Sequence, residues 1–429
     1  MEKIDQHRLI DQPIVDDQSA ESISARDAAA FLGVKLPTLY AYASRGLVRS
    51  VPAGKGRTRQ YLKADLERLR ARRDARSGHG PVAANALQWG EPVLDTAITA
   101  ISSESGPIYR GQLATRLAAA DTPFESVAEL LWTGHLPSEP AEWIAQDFPM
   151  SVVGLRRLLP DDLRPLPALA VVVPLLASWD PGRFAVRSEA IPPRARILLR
   201  RLAAALALGR DKQAFKEAFE GGSVARAVAA ALGSGSGADG VAAINRALVL
   251  CADHELNAST FAARVAASTG ADIYACVGAA LSTLSGPRHG GAASRVEALI
   301  NEIGRPEDVE RVVNERASRG EPLEGFGHPL YPEGDPRGQM LVELARDVAP
   351  RSRPVRTCLA LVEAMEGRGR GGATIDVGLV ALCSALGLRG GSAVGVFAVG
   401  RCAGWVAHAK EQYEAGYVVR PRARYLERD

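Results

Sequence analysis

The sequence predicts an all-α protein, and three observations carry that expectation. Ala, Leu, Arg and Glu dominate the long segments, and each loses little on entering a helix. SVAELLWTG, LPALAVVVPLLASW, ARILLRRLAAALALG and VARAVAAALGSG are apolar enough for buried helices. Beyond residue 84, the alternating β-branched runs that build half-buried strands are few. A chain of 429 residues, 47% of them apolar, is too long for one simple core, so two or three domains are expected. No apolar run approaches the roughly 20 residues that span a bilayer. The polar start MEKIDQHRLIDQ lacks a signal-peptide core, so a cytoplasmic protein without membrane contact is expected. The five cysteines (251, 276, 358, 383 and 402) lie far apart without a CxxC. That fits reduced, mostly buried thiols, and neither a disulfide framework nor a zinc site.

Residues 1–21 are polar and aperiodic and read as a loose arm. A first helix begins after Ser24, a suitable N-cap, with Asp27 near the position of a capping-box acid. Ala28, Ala29 and Leu32 share one face, and Gly33 closes the helix. Pro37 suits the first turn of a second helix, PTLYAYASRG, which buries Leu39 and Ala43 and ends at Gly46. VRSVPAGKGRTRQYL reads as two short strands about a Gly-rich turn, and KADLERLRARRDAR (63–76) as a third helix. From Arg49 to Arg76, ten Lys/Arg face three Asp/Glu, a local +7 on a chain of net charge +3. This block alone therefore points to an anionic partner. Residues 22–76 resemble the winged helix-turn-helix of the MerR and excisionase type. That resemblance implies a second helix in the DNA major groove, with Thr38, Tyr40, Tyr42 and Arg45 facing it. It also implies a wing whose Lys55, Arg57 and Arg59 touch phosphates. The same residues suit a small module docked on its own protein with a solvated charged face. SGHGPVAA (77–84) reads as a linker, and helices separated by Gly/Pro turns follow it.

The stretch with most chemical content is GFGHPLYPEGDPR (325–337), which places His328 after Gly-Phe-Gly and Arg337 nine positions later. Gly325 and Gly327 let a backbone approach a ligand closely. Pro329, Pro332 and Pro336 break any helix, so the stretch reads as a loop of fixed course. A His and an Arg held on such a loop suit a small anion with a polarisable carbonyl. A surface turn with a solvated His fits this stretch as well. Elsewhere, CADHELNAST (251–260) carries His254 and Asn257, and SGPRHGGAAS (285–294) carries His289. GGATIDVGLVAL (371–382) carries Asp376 at the head of an apolar run, where N-capping is the plain alternative. Three His and an Asp raise the question of a metal. The local spacings argue against one, since no HxxxH or HxxH joins these histidines.

Taken in order, these stretches resemble the citrate synthase family, together with YRGQLATRLAAADTPFESVAELLWTGHLP (109–137), GRCAGWVAHAKEQ (400–412) and RPRARY (420–425). The family's patterns read roughly ADHExNxSTF, GPxHGGAN, GFGHRVYxxxDPR, NxDFYSG, GRxxGWxAHxxEQ and RPxxxY. The resemblance implies a large helical domain (85–255 plus 360–429), a small one (256–359) and an active site in the cleft between them. It implies a homodimer that condenses acetyl-CoA with oxaloacetate to citrate and CoA, with acetyl-CoA a substrate and no cofactor. Matching motifs make Asp376 the base for the α-proton, His289 the donor to the thioester oxygen and His328 the donor to the oxo-acid carbonyl. His254 would help hold oxaloacetate, and Arg337, Arg401 and Arg420 would bind its carboxylates, with Arg420 reaching into the partner's site. Surface charge is the plain alternative for Arg401 and Arg420. Gly325, Phe326 and Gly327 match the adenine-contacting loop, and Arg368 and Arg370 match basic CoA contacts.

Four positions depart from the patterns: Ala293 and Thr374 stand where the family has Asn, Pro329 where it has Arg, and Val377 where it has Phe. The catalytic types are kept while the residues that position them differ. The acceptor is therefore left open between oxaloacetate and a related 2-oxo acid. The donor is left open between acetyl-CoA and propionyl-CoA, which gives 2-methylcitrate. The rival class is a DNA-binding regulator whose synthase-like domain senses such ligands.

Overall fold

The computed structural model describes residues 22–44, 47–52, 59–63, 65, 66, 69, 94–144, 146–234, 237–421 and 425. The arm 1–21, the linker 77–84, most of the helix expected at 63–76, and Arg45, Lys55 and Arg57 lie outside the described residues. Two compact units divide at Asp95 and at Arg420, and Thr96–Arg420 is the larger.

The N-terminal unit runs β1 (Ser22–Ser24), α1 (Ala25–Leu32), α2 (Leu36–Ser44), β2 (Ser50–Pro52) and β3 (Arg59–Leu62). Ser24 caps α1 as expected: its Oγ accepts from the Asp27 N–H (3.2 Å) and donates to the Asp27 carboxylate (2.6 Å). Gly33 ends the helix at φ 60°. Ala28, Ala29 and Leu32 pack with Leu39, Val48, Tyr61 and Leu66 in one small core. The two expected strands pair antiparallel, with Ser50 opposite Tyr61, while the turn expected between them lies outside the described residues. A third strand, β1, pairs along the other edge of β3 with Ser22 opposite Leu62. Its three residues are too few for alternation to register in the sequence. Arg49 ties the hairpin to the residue that follows it in space, Asp65, through Nε (2.8 Å), Nη2 (3.1 Å) and its own N–H (2.9 Å).

The larger unit opens with an antiparallel meander, β4 (Thr99–Ser102), β5 (Gly106–Tyr109) and β6 (Gln112–Leu113). Here the expectation of helix throughout is corrected, because strands of two to four residues leave no period to read. Helices then follow one another: α3 (Ala114–Ala119), α4 (Phe124–Thr133), α5 (Val152–Arg156), α6 (Pro165–Ser178), α7 (Ile191–Ala205) and α8 (Lys212–Glu220). Next come α9 (Val224–Leu232), α10 (Ala238–Cys251), α11 (Ala258–Ser268), α12 (Ile273–Leu284), α13 (Gly291–Ile303) and α14 (Val309–Ser318). The last are α15 (Pro336–Val348), α16 (Arg353–Gly367), α17 (Ile375–Ala385) and α18 (Ser392–Ala415). The four apolar stretches read as buried helices fall on α4, α6, α7 and α9.

Helix α18 is the axis of this unit: every residue from Ser392 to Ala409 is buried, and α4, α7, α10, α11 and α12 pack on it. Its glycines let the end of α10 press close. A Cβ on Gly404 would stand 2.2 Å from Asp253 Oδ1 and 2.6 Å from the Ala252 carbonyl oxygen. The Gly404 N–H instead donates to that carbonyl (2.9 Å). The segment 251–254, which carries His254, is thereby fixed to α18. One expectation for the 325–337 stretch is also corrected. Pro336 breaks no helix; it opens α15, where a missing N–H costs nothing, so Arg337 stands in a first helical turn.

Candidate active site

His328, Pro329, Leu330 and Tyr331 form a tight turn closed by the Tyr331 N–H to the His328 carbonyl (2.8 Å). Pro329 presets φ at its second position. The turn brings the His328 and Tyr331 rings to 5.1 Å, and His254 lies 5.6 Å from both. The Leu330 N–H donates to His328 Nδ1 (3.2 Å). Neutral His328 therefore carries its proton on Nε2 and is a donor there. The Tyr331 hydroxyl meets His254 Nε2 at 2.7 Å.

Arg337 is buried beside them, its Cζ 5.6 Å over the Tyr331 ring. Asp335 holds it through Nε (3.0 Å) and Nη2 (2.8 Å), leaving Nη1 buried with no hydrogen-bond partner among the described residues. Asp335 Oδ2 also accepts the Ile375 N–H (3.2 Å) at the head of α17. Burial pushes the Asp335 carboxyl up, yet Arg337 holds it below its ordinary value.

The loop that carries His328 is zipped to the segment that carries Asp376. The Thr374 N–H donates to the Gly325 carbonyl (2.9 Å) and the Gly327 N–H to the Gly372 carbonyl (3.2 Å), with Phe326 opposite Ala373. Gly325 is required here. Its φ is +94°, and a Cβ would stand 2.5 Å from Val377 Cγ2 and 2.7 Å from Val296 Cγ2. Asp376 is not the N-cap of α17; that position is Thr374, whose hydroxyl reaches the Asp376 carboxylate only at 3.5 Å. Burial, with Asp335 adding to it, pushes the Asp376 carboxyl up to about 6 against the pull of Arg337.

His289 belongs to a second cluster. Asn257 caps α11, and its Oδ1 accepts from the N–H groups of Ser259 (3.1 Å) and Thr260 (3.2 Å). The Ser259 hydroxyl lies 2.7 Å from that oxygen, accepts from Trp405 Nε1 (3.1 Å) and meets His289 Nε2 at 2.8 Å. One hydroxyl proton serves either Asn257 or His289. Only when it goes to His289 Nε2 does neutral His289 keep its proton on Nδ1. Phe397 lies edge-on to His289 at 6.2 Å and under the Arg401 guanidinium at 4.5 Å. Arg401 is buried, its Nε donating to the Cys251 carbonyl (2.7 Å), and no carboxylate of the described residues forms an ion pair with it.

Burial, then Arg401, lowers His289 to about 4. Burial, then Arg337, Arg401 and His328, takes His254 well below its ordinary value. Burial also lowers His328, helped by Arg337 and opposed by Asp335. All three imidazoles are neutral near pH 7.

The structure thus joins His254, His328, Arg337 and the Asp376 helix directly, and links His289 to Arg401 beside them. Other expected residues stand apart. Arg420 is exposed on the coil after α18. Arg368 is engaged by Glu310 and by Asn314 Oδ1 (3.0 Å), and Arg370 is exposed. In the N-terminal unit Tyr40 is 51% exposed, Thr38 is half-buried, and exposed Arg59 donates to Ser50 Oγ (2.8 Å). Tyr42 is half-buried against the unit's own core, three residues after Leu39 on the same helical face. Among the described residues no group of three or more His, Cys, Asp or Glu could hold a metal ion. Sequence reasoning missed Tyr331, Ser259 and Asp335. All three stand at fixed letters of the family patterns, which was the available signal.

A family model described as "Citrate synthase, C-terminal domain" matches residues 86–422. The chain belongs to the citrate synthase family. Its members are condensing acyltransferases, and this chain is one of them. A second model, "Helix-turn-helix domain", matches residues 23–74. Citrate synthase 2 of Bacillus subtilis is 37% identical over 188 residues, covering 43% of this chain and 50% of that one, so the matched stretch spans only half of that relative. 2-Methylcitrate synthase 1 of Corynebacterium glutamicum is 28% identical over 352 residues, covering 77% of this chain and 92% of that one. Among solved structures, the ternary complex of Thermoplasma acidophilum citrate synthase with carboxymethyl coenzyme A and oxaloacetate superposes with a TM-score of 0.69 at 26% identity. It covers 79% of this chain and 94% of that one.

Proposed function

We propose that this chain joins the α-carbon of acetyl-CoA to the ketone of oxaloacetate, giving citrate and CoA. One observation carries the reading: beside three neutral imidazoles, buried Arg337, though paired with Asp335, keeps an open Nη1, and buried Arg401 has no ion-paired carboxylate among the described residues. A buried charge without a partner costs several kcal/mol; a dianionic oxo acid would supply a counter-charge to Arg401 and an acceptor to Arg337 Nη1. The raised Asp376 carboxyl, once ionised, takes the acidic α-proton of the thioester. His289 donates to the enolate oxygen as charge develops there. The carbon attacks the ketone, His328 gives its Nε2 proton to the new alkoxide, and water then cleaves the thioester and releases free thiol. Gly325, Phe326 and Gly327, with Arg370, would meet the CoA end; Arg368 would share its guanidinium between CoA phosphate and Glu310.

The domains expected at 85–255 plus 360–429 and at 256–359 would close over the substrates, in a homodimer that shares Arg420 between sites. The test is release of free thiol from acetyl-CoA on addition of oxaloacetate. No release with either acetyl-CoA or propionyl-CoA defeats the reading. One methylene is worth only about 1–3 kcal/mol of discrimination, so the ratio of kcat/KM values for the two donors decides between citrate and 2-methylcitrate. The N-terminal unit supports a second role, DNA binding, because its second helix presents Tyr40 to solvent and the Arg49–Arg76 stretch of the sequence is strongly basic.

A further inference from the structure

The roles above leave one buried group of the site without a task, the Tyr331 phenol. Its hydroxyl lies 2.7 Å from His254 Nε2, its ring 5.1 Å from that of His328, and the Arg337 guanidinium 5.6 Å over its face. It thus touches all three groups assigned to the oxo acid on the 254–337 side. Tyr331 itself is fully buried, so in this conformation no ligand reaches it. Burial pushes the phenol up to about 12, so it keeps its proton at neutral pH.

A neutral imidazole has one N–H and one bare nitrogen. Which nitrogen is bare follows from the hydrogen bonds the protein makes to the ring. An imidazole nitrogen is a stronger base than a phenol oxygen, and a phenol is a stronger acid than an imidazole N–H. The contact is therefore O–H···N, with Tyr331 donating. We propose that Tyr331 is a positioning residue for the oxo acid: its hydroxyl donates to His254 Nε2, which fixes the rotation of that ring and leaves its proton on Nδ1. Without the hydroxyl, His254 Nε2 has no donor to keep it bare, both neutral tautomers are populated, and only part of the population meets the substrate. The turn at 328–331 folds the Tyr331 ring back beside that of His328, where its hydroxyl meets His254. This inference rests on the assignment of the oxo acid to His254.

The test uses the full chain, with free-thiol release as the assay and calorimetry for oxaloacetate binding. Tyr331→Phe keeps the ring against His328 and Arg337 and removes only the hydroxyl. The KM and Kd for oxaloacetate should rise roughly 10-fold, as for loss of one buried hydrogen bond. The KM for acetyl-CoA and the saturated kcat should stay within about 2-fold. His254→Ala should weaken oxaloacetate binding by at least as much, and adding Tyr331→Phe to it should change nothing further. Additive losses in the double variant, or a loss shared with the acetyl-CoA KM or placed in kcat, would overturn the inference. So would a Tyr331→Phe chain that fails to fold, since the phenol would then be serving the core and not the histidine. If the unaltered chain neither binds nor turns over oxaloacetate, the functional reading itself falls and takes this inference with it.

Discussion

Asp376 has neighbours that decide where its proton goes. Burial and the Asp335 carboxylate favour the neutral acid, Arg337 opposes them, and the balance lies at about 6. A base must be ionised to act. Because its proton affinity is raised, activity should fall as the pH drops through about 6, well above the ordinary carboxylate range. The expected profile of kcat/KM for the acyl-CoA therefore has an acidic limb near 6. An acidic limb near 4 would place the base elsewhere. Asp376→Asn should cost about 10²–10⁴ in condensation while oxaloacetate binding by calorimetry stays nearly unchanged. The motifs single out His254, His289, His328 and Arg337, and the structure gathers His254, His328 and Arg337 round Tyr331 and sets His289 on Ser259. Tyr331 and Ser259 were not legible in the sequence, because spacing shows which residues recur and not which side chains meet. The Ser259 hydroxyl touches Asn257, His289 and Trp405 from three separate parts of the chain.

Helix α18 illustrates what a period can and cannot reveal. Amphipathic helices such as α1 announce their buried face in the sequence. From Ser392 to Ala409, α18 has no solvent face, so nothing periodic marks which residue meets which neighbour. The short β4–β6 meander is silent for the opposite reason, being too brief for any period. Close packing on α18 gives a test at this scale. In a helix interior, Ala is favoured over Gly by about 1 kcal/mol, so Gly404→Ala should stabilise if propensity governs. A Cβ there would stand 2.2 Å from Asp253 Oδ1 and 2.6 Å from a backbone carbonyl, and backbone cannot step aside cheaply. Overpacking of this kind costs about 1–3 kcal/mol or more. It also displaces Asp253 from His408 Nε2, 3.2 Å away in the core. The clash should win, lowering the denaturant midpoint and activity together. Gly222→Ala, where a Cβ meets nothing within 4 Å, should leave both unchanged. A Gly404→Ala chain as stable as the parent would show that α18 and the 251–254 segment can part without cost.

At the largest scale, the two proposed roles fall on separate stretches of the chain. Every group assigned to condensation lies between His254 and Arg420, and the basic hairpin lies within Arg49–Arg76. Removing residues 1–84 should therefore leave condensation intact and abolish DNA binding. Duplex binding by the full chain should weaken steeply with salt, because phosphate contacts release counterions. Binding that survives the deletion, or none by the full chain at low salt, would remove the nucleic-acid reading. Arg420 raises the last question of this scale. It is exposed at the end of the coil after α18 and makes no ion pair with a described carboxylate, whereas Arg337 and Arg401 are buried. In the proposed homodimer, an exposed cation at this position would be available to the partner's site. In a C2 dimer every such contact occurs twice, so each site would borrow one arginine. Asp376→Ala and Arg420→Ala chains should each be inactive alone. Let their subunits exchange after mild unfolding and refolding. One site of each hybrid then combines the intact Asp376 of one chain with the intact Arg420 of the other, while the second site carries both defects. Mixing should restore activity that neither variant shows alone, up to about one working site per hybrid dimer. If Arg420 acts within its own chain, every hybrid site carries one defect. A mixture in which mass-tagged partners have exchanged and no thiol is released would then end the shared-site proposal, while leaving the assignments of Asp376, His289 and His328 untouched.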